Sequence, residues 1–304
     1  MDNIESIPTY PQNTGLTWDH HPLLDTVLKR VQPAVSELTF AYLWGWRRHT
    51  RCRLSRVDGA LLVICDTAET DETYAFYPLC SDSEAKTELI DDILRSRGRI
   101  DRFDRVPETE AKTLRDKYGL AIKHKRARDD YVHAANDLRQ LPGTQFDSKR
   151  NQISQFERAC PDAEFQVIDE TLARQCRRFT RQWLKEHPKN DLGSLQREVK
   201  TTEILLNNFS RLGLQGGALL DGDRILAFAL GEPLNDNTFI ERVEKADTSY
   251  PGSYQAINRA FARNIAEEYK WINREQDMGV HGLRRAKQSY HPHHMVKKYE
   301  IRNS

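Results

Sequence analysis

The residues whose types could do chemistry are concentrated near the C-terminus, in residues 273–299 (NREQDMGVHGLRRAKQSYHPHHMVKKY). This segment holds two acids, six Lys/Arg, four His, two Gly and two Tyr, with few aliphatic side chains. It contains a predicted helix that ends before Pro292, because proline cannot donate a backbone N–H. Arg284, Lys287 and His291 follow one stripe of this helix at i, i+3, i+7 spacing. A cationic stripe beside a glycine turn suits an anionic group such as a phosphate or a carboxylate.

The same helix has a second stripe, made of Leu283, Ala286 and Tyr290, which we expect to face inward. The histidines near its end raise the question of a metal site. Proline breaks their spacing, no partnering acid pattern is evident, and the cysteines lie elsewhere. We therefore expect no metal at the three histidines that surround this proline, which are His291, His293 and His294.

The composition describes a polar globular protein of 304 residues, long enough for one large domain or two ordinary ones. Its formal net charge of +1 gives no overall basic field that would point to duplex nucleic acid. Five scattered cysteines without C-x-x-C spacing favour reduced thiols in a cytoplasmic protein. No signal peptide and no long apolar segment occurs, so we expect no transmembrane segment, while peripheral contact with a membrane surface stays open.

Two stretches of similar order are expected to position the reactive groups. Each has two helices, a hairpin, a third strand and another helix, and the hairpins turn at Asp58-Gly59 and Asp221-Gly222. We place the second helix of the first stretch at residues 36–48, with Ser36 and Thr39 near its N-cap. The repeated order indicates a duplicated α/β (α+β) unit, each copy a mixed, mostly antiparallel sheet flanked by helices.

A boundary between the two copies is expected at Pro142-Gly143, because this dipeptide is a strong turn signal. It predicts an N-terminal domain at residues 1–143 and a C-terminal domain at residues 144–304. The C-terminal domain would carry the active site, since the polar segment described above lies in it.

Several segments together resemble the family of the phosphatidylglycerol lysyltransferase C-terminal domain, and more narrowly its stand-alone members. The similarity runs from about residue 20 to 301 and rests on SELTFAYLWGW, RDDYVH, DLRQLPGTQFDSKRNQISQF, IERVEKAD, GSYQAIN and INREQDMGVHGLRRAKQSYHPHHMVKKY. This resemblance implies tandem acetyltransferase-like (GNAT) domains, an aminoacyl-tRNA donor, and transfer to an amine or hydroxyl acceptor. The membrane half of the lipid-modifying members is missing here, so a small molecule or peptide is a more natural acceptor than a lipid head group.

Acyl transfer from an ester needs a base for the attacking group, stabilisation of the oxyanion, and an acid for the leaving hydroxyl. On the resemblance we expect Glu244 to deprotonate the acceptor or to hold the aminoacyl ammonium, which Asp277 could also hold. Lys287 would stabilise the oxyanion or meet the terminal phosphates of tRNA. The expected substrate-binding residues are Lys245, Asp247, Tyr254, Gln255, Asn258, Asn273, Arg274, Glu275, Arg284, Tyr290, Tyr131 and Arg150.

Simpler interpretations of these residues stay open. Glu244 would also be explained by a strand-edge ion pair, and Arg284 with Lys287 by a solvated helix stripe. The turn that would hold the CoA pyrophosphate runs from Asp247 to Gly252 and has one glycine and an intruding proline, which makes a poor phosphate cradle. We therefore expect no cofactor and aminoacyl-tRNA as co-substrate. A CoA-dependent N-acyltransferase and a non-catalytic binding protein are the alternatives.

Overall fold

The computed structural model describes residues 4–66, 72–96, 100–186, 192–264 and 269–303. The chain forms two compact units, called unit 1 and unit 2 here. Unit 1 comprises residues 1–130, 276–284 and 295–304. Unit 2 comprises residues 131–275 and 285–294.

Unit 1 is built on a seven-stranded sheet in the order β1-β2-β3-β4-β5-β14-β6. Its strands are β1 (Thr14–Gly15), β2 (Arg53–Val57), β3 (Ala60–Asp66), β4 (Thr73–Phe76), β5 (Arg102–Pro107), β6 (Ala121–His124) and β14 (Lys298–Arg302). Among the strand pairs that the described residues form in this sheet, β4 and β5 run parallel and the others antiparallel. The helices are α1 (His21–Val31), α2 (Phe40–Thr50), α3 (Ser83–Arg95) and α4 (Glu108–Tyr118), with short 3-10 turns at Ile4–Ser6, Trp18–His20 and Arg126–Arg128.

Unit 2 is built on a second seven-stranded sheet, in the order β13-β7-β12-β11-β10-β9-β8. Its strands are β7 (Asp130–Ala134), β8 (Glu164–Val167), β9 (Gln215–Asp221), β10 (Arg224–Asn235), β11 (Thr238–Ala246), β12 (Trp271–Asn273) and β13 (His294–Val296). Here β11 and β12 form the parallel pair. The helices are α5 (Ala135–Gln140), α6 (Asp147–Ala159), α7 (Glu170–Glu186), α8 (Leu192–Asn207), α9 (Ser253–Asn264) and α10 (His281–Gln288), with a 3-10 turn at Thr144–Phe146.

The predicted duplication and fold class are confirmed. Each sheet has a hairpin, a third strand, a helix, and a strand that returns parallel to the third. Both predicted hairpins form, and the first turns at Asp58-Gly59 as predicted. The second turns at Gly222-Asp223, one residue later than predicted, because Asp221 still pairs with Arg224. Asp58 and Gly59 both have positive φ, 45° and 75°, as a tight hairpin turn of the primed type requires. Among the described helices, none combines the length and apolar character needed to cross a membrane.

Two strand pairings were not predicted from the sequence. Because of them, the division into units differs from the predicted boundary at residue 143. Strand β14 lies between β5 and β6, and β7 lies between β12 and β13. Residues 131–143 therefore group with unit 2, while residues 295–304 group with unit 1. Both strands are five residues long, and their pairing partners are remote in sequence, so no local pattern specifies them.

The second helix of unit 1 begins later than expected, so the predicted start at Ser36 is wrong. Helix α2 starts at Phe40, and the Thr39 side chain caps it by accepting a hydrogen bond from the N–H of Tyr42 at 3.1 Å. Ser36 instead donates its N–H and hydroxyl to the buried Asp130 carboxylate, at 3.0 and 2.9 Å. The buried Asp130 carboxylate requires hydrogen-bond donors, and Ser36 donates to it instead of capping the helix.

Candidate functional site

The parallel strands β11 and β12 of unit 2 separate after a short pairing. Their register ends where Ile240 lies opposite Asn273. Beyond this point the backbone of Arg274 turns to β7, because its N–H donates to the carbonyl of Tyr131 at 2.9 Å. Among the described residues, the edge of β11 that faces β12 therefore has no strand partner from Glu241 onward. Side chains fill the opening.

A bulge in β11 brings two acids to this opening. Opposite Leu230 and Gly231 of β10 the register shifts, which leaves Arg242 as an extra residue in β11. Bulges re-aim the side chains around them, and here Glu241 and Glu244 both reach one guanidinium. Regular alternation would have pointed side chains three positions apart to opposite faces. Gly231 permits the bulge, since an added Cβ would lie 1.8 Å from the carbonyl oxygen of Ile240.

The cation that joins the two acids is Arg274. It forms an ion pair with Glu244, and its Nε lies 3.3 Å from Oε2 of Glu241. The amide Nδ2 of Asn258 donates to the same Oε2 at 3.0 Å. The other amide atom, Oδ1 of Asn258, is buried and accepts no hydrogen bond from the part of the chain that the structure describes. A buried acceptor without a donor costs free energy and is suited to a ligand N–H or O–H.

Burial raises the pKa of Glu244 well above its usual value. The Arg274 guanidinium opposes this shift, and the neighbouring Glu241 carboxylate reinforces it. A raised pKa means that this carboxyl takes up a proton more readily than an ordinary glutamate does.

Two cations lie against the ring of Tyr290, which is buried as expected. The Arg274 guanidinium carbon is 5.0 Å from the ring centroid, and the Lys149 Nζ is 4.5 Å from it. Burial, helped by Arg274, lowers the pKa of the Lys149 amine, while Glu244 opposes this change. Lys149 was missed by sequence reasoning, because a lysine in the polar first turn of α6 looks like a surface residue.

Glu241, Glu244, Arg274 and Tyr290 are called the Arg274 cluster here. Lys287 lies beside this cluster, and its ammonium is directed at the backbone of Arg274. Its Nζ donates to the Arg274 carbonyl at 2.6 Å and lies 6.0 Å from the centroid of the Tyr131 ring. His133 is fully buried, with Nε2 3.3 Å from the Lys287 carbonyl. Burial, with Arg274 adding, lowers the pKa of His133 to about 3, so its ring is neutral at physiological pH. Lys287 and His133 thus border the cluster and support the Arg274 backbone.

A second ion-pair network lies next to this cluster. Arg242 pairs with Glu232 and with Glu275, one of the expected substrate-binding residues. Glu275 has a positive φ of 56°, and its N–H donates to Oδ1 of the buried Asn273 at 2.8 Å. The amide of Asn273 therefore holds the bend by which the chain leaves β12.

Lys245 and Tyr254 meet at Trp183. The Lys245 Nζ lies 3.9 Å from the Trp183 ring centroid and pairs with Glu198, and the indole N–H donates to the Tyr254 hydroxyl at 3.1 Å. Burial, with Glu244 adding, raises the pKa of Tyr254 to about 12. Gln255 follows Tyr254 in α9 and is half-buried. Tyr254 therefore connects this group electrostatically to the acid cluster.

Asp247 and Arg150 hold loops. The Asp247 carboxylate accepts hydrogen bonds from the Ser249 N–H at 2.9 Å and from Arg224 at 2.8 Å, so an acid occupies the turn before α9. The Arg150 guanidinium donates to the carbonyl of Gly143 at 2.8 Å and pairs with Asp147, which fixes the connection between α5 and α6. These contacts do not connect Asp247 or Arg150 to the Arg274 cluster.

Asp277 and Arg284 belong to unit 1. Asp277 is fully buried and accepts from Arg284 Nε at 2.9 Å, from Arg126 at 3.2 Å and from the Gly279 N–H at 2.8 Å. These contacts organise the turn that precedes α10. Asp277 thus belongs to unit 1, whereas Glu244 belongs to unit 2.

The expected orientation of α10 is wrong for two residues. Leu283 exposes 44% of its surface, and Ala286 is also exposed. The stripe of Arg284 and Lys287 is directed at acceptors instead, namely the buried Asp277 carboxylate and the Arg274 carbonyl. Hydrogen bonds to these buried oxygens stabilise the helix orientation more than burial of one leucine and one alanine would.

The histidines near Pro292 contact each other and Trp271. Nδ1 of His293 lies 3.1 Å from Nδ1 of His294, and the His293 ring is 4.4 Å from the Trp271 ring. Within the described ranges no three His, Cys, Asp or Glu residues form a group that could hold a metal ion.

Comparisons with known proteins agree with this fold. Residues 28–302 match the family described as phosphatidylglycerol lysyltransferase, C-terminal. The chain is 24% identical over 218 residues to an uncharacterized protein of Mycoplasmoides gallisepticum, covering 68% of each chain. A conserved protein of unknown function from Bacteroides thetaiotaomicron superimposes with a TM-score of 0.87 at 29% identity, covering 96% of this chain and 99% of the other.

A second solved structure carries a functional name. The structure of L-PGS from Bacillus licheniformis superimposes with a TM-score of 0.68 at 14% identity, covering 96% of this chain and 93% of that chain. At this identity the likeness concerns the fold alone.

Proposed function

Since the chain belongs to the phosphatidylglycerol lysyltransferase C-terminal family, we propose that it is an aminoacyltransferase that uses charged tRNA. The acceptor is an amine or a hydroxyl, carried by a small molecule, a peptide or a lipid head group. Charged tRNA is a cytoplasmic substrate, so the proposal places the protein in the cytoplasm, with membrane contact needed only for a lipid acceptor.

The observation that carries this proposal is the buried acid pair at the opening between β11 and β12. In the proposed step the acceptor oxygen or nitrogen attacks the ester carbonyl carbon and gives its proton to Glu244. The bond from that carbon to the ribose oxygen then breaks, and the ribose oxygen takes up a proton. Arg274 supplies positive charge beside the developing oxyanion, and Oδ1 of Asn258 offers a buried acceptor to a substrate N–H.

One contact argues against an acyl-CoA donor. The Asp247 carboxylate lies in the turn before α9, where a pyrophosphate would have to bind, and like charges repel.

The test is transfer from labelled aminoacyl-tRNAs to amine, hydroxyl, peptide and phosphatidylglycerol acceptors, measured as loss of the tRNA ester and gain of labelled product. We expect at least one charged tRNA to be consumed faster than in buffer. Glu244→Gln should lose about 10²-fold or more in rate, the usual contribution of a general base. Glu164→Gln, which alters an exposed acid of β8 in the same unit, is the matched control.

The proposal fails if every charged tRNA decays at the background rate with every acceptor. It also fails if the two glutamine variants transfer equally well. Calorimetry with acetyl-CoA tests the alternative donor: a heat of binding, which the Asp247 contact does not predict, would favour an acyl-CoA enzyme.

A further inference from the structure

Lys149 is a mostly buried lysine. It exposes only 7% of its surface. Such lysines are uncommon in folded proteins, because removing an ammonium group from water costs free energy. The contact that the structure gives it is with the Tyr290 ring, 4.5 Å from Nζ to the centroid.

The other buried lysines among the described residues differ in their partners. Lys298 in unit 1 is fully buried, and its Nζ lies 2.5 Å from Glu37 and 2.6 Å from Asp130. Lys245 in unit 2 pairs with Glu198 in addition to its ring contact. Lys86 in unit 1 is also buried, and its Nζ lies 5.1 Å from the centroid of the Tyr77 ring. A ring contact alone therefore does not mark a functional lysine, and Lys149 differs from Lys86 in lying beside the acids that the proposed reaction uses.

The surroundings of Lys149 are those of a proton donor. Tyr290 holds the amine by a cation–π contact without accepting its proton. Arg274 lies against the same ring and repels the ammonium, whereas Glu244 attracts it. The amine therefore gives up its proton more readily than an exposed lysine.

We propose that Lys149 is the general acid that protonates the ribose oxygen as the aminoacyl ester bond breaks. The inference rests on the proposed function and completes its proton balance. Glu244 receives the proton of the acceptor, the carbonyl carbon loses its bond to the ribose oxygen, and Nζ of Lys149 gives that oxygen a proton. The neutral amine then regains a proton from Glu244 or from water, which restores both groups.

The test varies the leaving group of the ester. We compare transfer from an aminoacyl-tRNA with transfer from the 4-nitrophenyl ester of the same amino acid, whose phenolate leaves without protonation. Lys149→Met should slow the tRNA reaction about 10²-fold or more through kcat, the size of an acid–base contribution. The nitrophenyl ester should react at nearly the wild-type rate.

Lys149→Arg distinguishes proton donation by residue 149 from an effect of its positive charge alone. Arginine keeps the positive charge but holds its proton too tightly to release it, so we expect it to be nearly as slow as methionine with tRNA. Lys200→Met, at an exposed position of α8, is the matched control and should leave both rates unchanged. Urea unfolding of each variant identifies any loss that comes from misfolding.

The inference is overturned if Lys149→Met slows both esters equally, if it slows neither, or if Lys149→Arg restores transfer from tRNA. A wild-type protein that consumes no charged tRNA would instead remove the proposed function itself. A wild-type protein that transfers normally, together with an unaffected Lys149→Met variant, would remove only the role of Lys149.

Discussion

Arg274→Met is the substitution whose effect follows most directly from the structure. Arg274 is the cation that the buried Glu241 and Glu244 share, with side chains 3% and 14% exposed. Methionine has a similar volume and no charge, so two adjacent carboxylates would stay in the interior without it. Removing one partner of a buried ion pair typically costs about 3–5 kcal/mol. We expect a loss of that size in the free energy of unfolding at neutral pH.

Glu244→Gln is the matched comparison because it removes one of the two carboxylates instead of the cation. Arg274 keeps Glu241, and the new amide can accept a hydrogen bond from the guanidinium. We therefore expect a change of no more than about 1 kcal/mol. The contrast between the two variants separates the loss of charge balance from any general sensitivity of the site.

The pH dependence gives a second readout. The folded-state pKa of Glu244 is raised, so the folded protein binds this proton more readily than the unfolded chain does. That group therefore favours folding at low pH, and its contribution is lost as pH rises through the raised value. Without Arg274 the pKa of Glu244 would rise further, so the deficit of Arg274→Met should be smallest in acid and grow toward neutral pH.

Urea unfolding followed by circular dichroism measures both effects. Arg158→Met, at an exposed position of α6, should change stability by no more than about 0.5 kcal/mol. The reasoning is refuted if Arg274→Met loses less than about 1 kcal/mol, or if its deficit is the same at acid and neutral pH.

Three further predictions follow from buried groups and close backbone contacts. Lys298→Met should destabilise the protein by about 3–5 kcal/mol in urea unfolding, whereas Lys297→Met, at a half-exposed pair, should leave stability nearly unchanged. Gly231→Ala should lower the melting temperature, because its Cβ would meet a carbonyl oxygen at 1.8 Å, while Gly282→Ala meets nothing within 4 Å and should leave that temperature unchanged or raise it. The imidazole of His133 should show no NMR titration near its ordinary pKa, since its pKa is about 3; its burial as the neutral form makes folding less favourable as pH falls below the ordinary value of 6.5.

Local chemistry explains which features could be predicted from the sequence. The Asp-Gly pairs specify tight turns by their backbone preferences, so both hairpins and the duplication followed from them. Glu244 was singled out because it ends the third strand of the second copy, and Arg274 and Tyr290 because they lie in the polar segment 273–299. The structure brings these three together at the opening between β11 and β12.

Features that depend on distant partners could not be predicted. The pairing of β14 with β5 and β6 is decided by which free strand edge is available, which no five-residue segment encodes. Burial of Lys149 depends on the Tyr290 ring in another part of unit 2. The orientation of α10 followed apolar spacing in our expectation, but hydrogen bonds to Asp277 and to the Arg274 carbonyl decide it.

A crystal structure with a non-hydrolysable donor analogue, a 3′-aminoacylamino-3′-deoxyadenosine, tests the central claim most directly. The account predicts that the amide carbonyl of the analogue binds at the opening between β11 and β12, with its 3′-nitrogen within hydrogen-bond distance of Nζ of Lys149 and room for an acceptor beside Glu244. An analogue bound elsewhere in the protein, with the Arg274 cluster closed and untouched, would contradict it.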